Sequence, residues 1–237
     1  SKLDKNDEYV IAFGQCSKIA TKRIMRAAIE QAIKDNRKIV TIAHKGNIMK
    51  GIFGAFTKWC LEVATEEYGD QVVISKWKVN KAYAYAQDKI IIDDIIIDNC
   101  SEKAITRPNI FDVIVMENLQ ADIFTDEAAG LIGGLGVAPG TNINYETGKS
   151  VYEATHGTAD DIAGKDMVNP SSWLLSFFML CEDQGGIWSD FSTYCKNAIA
   201  KTFANGQLTG DLASQIDSQH PKLSTTEFFE AIVANAA

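Results

Sequence analysis

The feature that most constrains this chain is a hydrophobic period that keeps switching from its start to about residue 137. Short β-branched runs alternate with apolar stripes at helical spacing. Ile39-Val40-Thr41-Ile42, within Lys38 to Ala43, reads as a strand. Further strands are expected at Tyr9 to Phe13, Val72 to Trp77, Lys89 to Ile92 and Phe111 to Met116, with another beginning at Val137. Between them, Ser17 caps a helix to about Lys34 with Ile24, Ala28, Ile29, Ala32 and Ile33 on one stripe. Gly54 to Tyr68, Asp94 to Ile105 and Ala121 to Leu131 also read as helices. Strands alternating with helices predict an α/β fold with a largely parallel sheet. From Pro170 the pattern turns helical, at Ser171 to Cys181, Ser189 to Phe203 and Thr225 to Ala234. A boundary between parts of the structure is expected near residues 136–150.

Composition narrows the function classes. Apolar residues make up 46% and charged residues 23%, which suits a chain that buries a core and argues against disorder. The longest apolar candidate for a membrane span, Ile90 to Ile97, is split by Asp93 and Asp94. Acidic side chains outnumber basic ones 31 to 23, so the net charge of −8 opposes binding to nucleic acid. The cysteines Cys16, Cys60, Cys100, Cys181 and Cys195 are scattered and form no CxxC, as expected of reduced thiols in an intracellular protein. The chain starts at Ser1 and enters a pattern at once, which reads as a processed chain or a piece of a longer one.

Four segments carry chemistry. Asp122 and Asp126 lie four apart after a strand, on one helix face. They suit Mg²⁺ or Mn²⁺, or are solvated first-turn acids favoured by the helix dipole. His44-Lys45-Gly46-Asn47 follows a strand, at an edge where α/β proteins bind ligands. Lys45 there is either a general base or an ordinary surface lysine. The glycine run Gly130 to Gly136 follows a helix rather than a strand and is not a dinucleotide fingerprint. Glu153-Ala154-Thr155-His156-Gly157-Thr158-Ala159, continuing to Lys165, is either a loop for adenine and its ribose or a polar loop with a satisfied histidine.

Taken in order, HKGNIMK (44–50), NLQADIFTD (118–126), GGLGVAPGTN (133–142) and EATHGTADDIAGKDMVNP (153–170) resemble the β-decarboxylating dehydrogenases of isocitrate, isopropylmalate and related 2-hydroxyacids. His44 points to the isocitrate branch, because isopropylmalate enzymes usually carry aspartate there; 3-isopropylmalate and homoisocitrate are the alternative substrates. The resemblance implies oxidative decarboxylation of isocitrate to 2-oxoglutarate with NAD and Mg²⁺ or Mn²⁺. It implies that Lys45 takes the 2-hydroxyl proton, and that Asp98, Asp122 and Asp126 hold the metal. Lys45 and Asp98 would serve the site of a second copy, in a homodimer or a dimer-based tetramer. Asn47 would approach the nicotinamide end, while His156, Gly157, Thr158, Ala159, Asp161, Ile162 and Asn169 would hold the adenosine. NADP-type relatives carry lysine and tyrosine where this chain has Asp161 and Ile162, and a tyrosine and an arginine that Gln207 to Leu212 lacks.

The same resemblance divides the chain into a clasp remnant (1–20), a small α/β domain (21–135) and the C-terminal, cofactor-binding part of the large domain (136–237), leaving the large domain incomplete. The substrate-clamping arginines of relatives precede this stretch, and Arg23, Arg26, Arg37 and Arg107 form no replacement cluster. Gly51-Ile52-Phe53-Gly54 departs from a polar threonine-glutamate pair common in relatives. A non-catalytic subunit or fragment that keeps the dimer interface and part of the nucleotide site is therefore the alternative to a catalytic enzyme. The expected compartment is reducing, the bacterial cytoplasm or the mitochondrial matrix.

Overall fold

The computed structural model describes residues 8–10, 12–75, 88–217 and 219–236. It divides into two units, residues 1–122 and 123–237. The first unit opens with helix α1 (Lys18–Lys34), whose N-cap Ser17 accepts a hydrogen bond from the Ala20 amide. Strand β1 (Ile39–His44), helix α2 (Ile52–Glu66), and strands β2 (Val72–Ile74) and β3 (Ile90–Ile96) follow. Helix α3 (Ile97–Thr106), a 3-10 turn (Pro108–Ile110) and strand β4 (Val113–Val115) complete the sheet region. The strands form one parallel sheet in the order β2-β3-β1-β4.

Burial on both faces explains why β1 carries no surface alternation. On one face Val40, Ile42, Ile90 and Ile92 pack against Met25, Ile29 and Ala32 of α1 and Phe56, Cys60 and Val63 of α2. On the other, Ile39 packs against Ile91 with Val73 beside them. Asp112 secures the strand starts, its carboxylate accepting from the amides of Lys38 at 2.9 Å and Ile39 at 3.1 Å.

Helix α4 (Asn118–Leu131) carries the division between the units, which falls between Asp122 and Ile123. In the second unit a 3-10 turn (Leu135–Val137) leads to an antiparallel hairpin of β5 (Pro139–Ile143) and β6 (Ser150–Ala154). The hairpin packs on helix α5 (Ser171–Gln184) through serine hydroxyls: Ser172 donates to Ala138 O at 2.5 Å and Ser176 to Glu153 O at 2.8 Å. Helices α6 (Ile187–Ala204) and α8 (Thr225–Ala236) join α5 around Leu174, Phe178, Ala198, Ile199, Phe228 and Ile232. Between them lie the two-residue strands β7 (Leu208–Thr209) and β8 (Lys222–Leu223) and helix α7 (Gly210–Ile216).

Several expectations shift. Tyr9, Val10, Ala12 and Phe13 belong to no strand, and Ile11 lies outside the described residues. β2 stops at Ile74, and Trp77 also lies outside the described residues. The helix expected from Asp94 begins only at Ile97, because the isoleucine-rich run stays in the sheet through Ile96, with Asp93 and Asp94 inside β3. The strand expected from Val137 begins at Pro139, after a 3-10 turn.

Candidate functional site

Parallel strands deliver their C-terminal ends to one edge of the sheet. His44 pairs with Ile96 across the β1–β3 ladder, so the residues just beyond each strand become neighbours. Lys45 follows β1, and Asp98 occupies the first turn of α3. The Lys45 ammonium donates directly to the Asp98 carboxylate. That hydrogen bond is the main reason the Asp98 carboxyl lies below the usual range, although the group is exposed.

The turn carrying Lys45 is fixed from behind by His44, which is almost fully buried. The Gly46 amide donates to His44 Nδ1 at 3.0 Å, so in the neutral ring Nε2 holds the proton and donates to Asp94 at 3.2 Å. Register makes the second contact: Asp94 pairs with Ile42, two residues before His44 and on the same face of the sheet. The Lys45 carbonyl then accepts from the amides of Ile48 and Met49, closing the turn that exposes Asn47.

Asp122 and Asp126 both lie on α4 and are exposed. The helix begins at Asn118, so they occupy its second and third turns, and no acid sits in its first turn. The helix dipole, which acts in the first turn, therefore does not account for them. Among the described residues no three His, Cys, Asp or Glu side chains come together as a metal site requires. One chain thus offers a divalent cation two hard donors a helical turn apart, not a closed set.

The second unit contains a cleft of about 340 Å³. His156, Gly157, Ala159, Ile162 and Asn169 line it; Thr158 and Asp161 are exposed on the same loop but are not lining residues. His156 Nδ1 donates to the Gly157 carbonyl at 2.9 Å, leaving Nε2 as the acceptor of the neutral ring. Lys165 Nζ donates to the Asp161 carbonyl at 2.6 Å, and the Ile162 amide to Ala159 O at 3.0 Å, which curls the loop back on itself. Below it, the Asp166 carboxylate accepts from the Thr226 amide at 3.0 Å and hydroxyl at 2.9 Å, and the hydroxyl bond is the chief cause holding its pKa down. Thr225 donates to Val168 O at 2.6 Å, tying the same stretch to the start of α8.

The fold adds Gly136, Met167, Val168 and Asp211 to the cleft. Gly136 is there because space requires it: a Cβ would stand 2.9 Å from Asp211 Oδ2 and 3.2 Å from Asn169 Cβ. Asn169, nearly fully buried, donates from Nδ2 to Asp211 Oδ2 at 3.1 Å and accepts at Oδ1 from the Ser171 amide at 3.0 Å. Asp211 Oδ1 accepts from the Thr209 hydroxyl at 2.5 Å. Asp211 is reachable from sequence only as an acid at a helix start; its partner lies 42 positions away.

Residues 1–232 match the family model described as isocitrate/isopropylmalate dehydrogenase. The chain is 42% identical over 213 residues to the protein named isocitrate dehydrogenase [NADP] from Streptococcus mutans, covering 90% of this chain and 50% of that protein. It is 41% identical over 220 residues to the protein of the same name from Archaeoglobus fulgidus, covering 92% and 52%. A crystal structure of isocitrate dehydrogenase from Methylococcus capsulatus superposes with a TM-score of 0.80 at 32% identity, over 100% of this chain and 61% of that one. The chain spans about half the length of the curated relatives it matches.

Proposed function

Because the chain belongs to the isocitrate/isopropylmalate dehydrogenase family, we propose that it is the part of an NAD-type isocitrate dehydrogenase that carries the catalytic lysine, the metal carboxylates and the adenosine cleft. The observation that carries this reading is the Lys45–Asp98 pair at the sheet edge. Isocitrate loses its 2-hydroxyl proton to Lys45 as hydride leaves C2 for the nicotinamide. In the ion pair Lys45 is an ammonium, with no free lone pair. It must therefore release a proton before accepting one, and Nζ, partly exposed beside the open Asp98 carboxylate, can release it to solvent. His44, locked between Gly46 and Asp94, keeps the lysine turn in place for this exchange.

Asp122 and Asp126 of one copy, with Asp98 supplied by a second copy, form the donor set for Mg²⁺ or Mn²⁺. When bound, such a cation polarises the substrate hydroxyl and offsets the negative charge that develops as CO₂ leaves. Sharing Asp98 in this way is consistent with the lack of a three-ligand cluster among the described residues. It requires a homodimer or a dimer-based tetramer. A stable monomer in sedimentation that turns over isocitrate would contradict the shared site.

The adenosine of the coenzyme occupies the cleft at His156, Gly157, Ala159, Ile162 and Asn169, with Thr158 and Asp161 exposed on the same loop. The relatives compared above carry [NADP] in their names. Asp161 and Ile162 favour NAD here. A carboxylate accepts from ribose hydroxyls and repels a 2′-phosphate, and isoleucine has no group to hold one. The five free thiols suit a reducing compartment, the bacterial cytoplasm or the mitochondrial matrix.

A second reading is a nucleotide-binding subunit or fragment without turnover of its own. Its motive is that Arg23, Arg26, Arg37 and Arg107 form no cluster of the kind the resemblance implies for clamping the substrate carboxylates. One experiment separates the two. The purified chain is given isocitrate, Mn²⁺ and NAD, and NADH formation is followed with and without chelator. Turnover that stops in chelator and in Lys45→Met supports the catalytic reading. Turnover undiminished in chelator overturns the metal assignment. Coenzyme binding without turnover favours the second reading.

A further inference from the structure

We infer that Asp94 is a positioning residue for Lys45, acting through the tautomer of His44. The inference rests on the reading of Lys45 as the base and deepens it. His44 and Gly46 bracket the lysine, and the Gly46 amide donates to His44 Nδ1 at 3.0 Å, a bond that closes over the backbone of Lys45. Only an unprotonated Nδ1 can accept it. A neutral imidazole carries its proton on either nitrogen, so the bond exists only while Nε2 is the protonated one. Asp94 makes that choice: its carboxylate, an acceptor, faces Nε2 at 3.2 Å and holds the proton there. Register places it, since Asp94 pairs with Ile42 in the β1–β3 ladder.

Gly46 has little room to adjust. It lies between the imidazole and the first turn of α2: a Cβ on it would stand 3.0 Å from His44 Nδ1, 3.2 Å from Gly54 N and 3.4 Å from Gly54 Cα. With the tautomer reversed, the Nδ1–H and the Gly46 N–H would be two donors face to face in this gap. His44 is almost fully buried, so the displaced donor is left unpaired unless the turn moves. Movement there shifts the backbone on both sides of Lys45, and with it the hydrogen bond of Nζ to Asp98. Misplacing a reacting group by about 1 Å can cost about 100-fold in rate.

The test uses the full chain and its variants Asp94→Leu, Asp94→Asn, His44→Asn and the double variant Asp94→Leu/His44→Asn. Imidazole nitrogen NMR reads the tautomer, hydrogen exchange reads the Gly46 amide, and turnover of isocitrate with Mn²⁺ and NAD reads the lysine. The unmodified protein should show a bare Nδ1 and a protected Gly46 amide. Asp94→Leu should lose both, with kcat down about 10- to 100-fold and KM for isocitrate within about threefold. Asp94→Asn should retain both, because its carbonyl still accepts from Nε2. In His44→Asn the side-chain oxygen stands where Nδ1 stood and takes the Gly46 amide unaided, so adding Asp94→Leu should cost less than about twofold more. A merely structural Asp94 would weaken both backgrounds alike. The unmodified protein and Asp94→Asn decide the matter if Asp94→Leu does not fold. A protonated Nδ1 in the unmodified protein, loss of both signals in Asp94→Asn, a bare Nδ1 retained in folded Asp94→Leu, or equal losses in the two His44 backgrounds overturns the inference. Absence of turnover in the unmodified chain overturns the catalytic reading alone, because the imidazole and Gly46 signals are read without it.

Discussion

Gly136→Ala places a methyl group at a tight backbone approach in the cleft proposed to hold the nucleotide. Its Cβ would stand 2.9 Å from Asp211 Oδ2, 3.2 Å from Asn169 Cβ and 3.6 Å from Asn169 Cγ. The first two distances are shorter than ordinary van der Waals contact, so something must move. Neither neighbour swings away freely. Asp211 is bonded to Thr209 and Asn169, and Asn169 to Ser171. Inserting a methyl group into a packed site costs about 1–3 kcal/mol. If the cleft takes up that strain, dinucleotide affinity falls by about 5- to 150-fold, at about 1.4 kcal/mol per tenfold. The assay is a calorimetric NAD titration with a thermal melt of the same sample. Gly130→Ala is the control: Gly130 lies in α4 and a Cβ there meets nothing within 4 Å. That variant should gain about 0.4–1 kcal/mol of stability without altering affinity. Gly136→Ala that binds NAD within about twofold of the unmodified protein, with its melt unchanged, would refute the packing argument.

Lys45→Met should raise the Asp98 pKa toward the ordinary carboxylate value, since the Lys45 hydrogen bond is the chief cause of its depression. Carboxyl NMR titration reads this, and an unmoved Asp98 would contradict the pairing. The sign for stability follows: a depressed carboxylate stabilises above its unfolded pKa, and the effect is lost as pH falls through the folded value. Because the pair is exposed, screening keeps that contribution small, and the loss of turnover should far exceed any change in melting. Cys60, whose thiol burial pushes to about 12, should resist alkylation at mildly alkaline pH in the native protein, as should the buried Cys100 and Cys181. Mass spectrometry should instead find label first on Cys16 and Cys195; native-state labelling of Cys60 would contradict the packing of α2 on the sheet.

Local chemistry makes much of this fold legible. Ile39 to Ile42 declare a buried strand through β-branching, and Ser17 marks the start of α1 by its capping side chain. Helix α4 and its two acids show in the 3.6-residue period, though its true start at Asn118 moves them out of the first turn. What stays hidden depends on register. Asp93 and Asp94 interrupt the apolar run and Asp94 reads as a helix start, yet both remain in β3 because flanking isoleucines pair with β1 on one side and β2 on the other. The His44–Asp94 and Lys45–Asp98 contacts span 50 and 53 positions and exist only once β1 and β3 are aligned. The β5–β6 hairpin escapes the sequence reading at Ser150 to Ala154, although alternating half-buried and exposed positions are a strand signal there, with Gly148 at φ +70° in the turn. In the cleft, the His156 loop is conspicuous by its small residues, whereas Asp211 gains meaning only by meeting Asn169.

The most direct test of the central claim is a titration of NAD and NADP against the unmodified protein and Asp161→Lys/Ile162→Tyr. A carboxylate a few ångströms from a 2′-phosphate costs about 1–4 kcal/mol at effective dielectrics of about 20 to 80. That corresponds to at least about fivefold in affinity. The account predicts tighter NAD binding by the unmodified protein and a shift toward NADP in the double variant. Tighter NADP binding by the unmodified protein, or a double variant with unchanged preference, would contradict it.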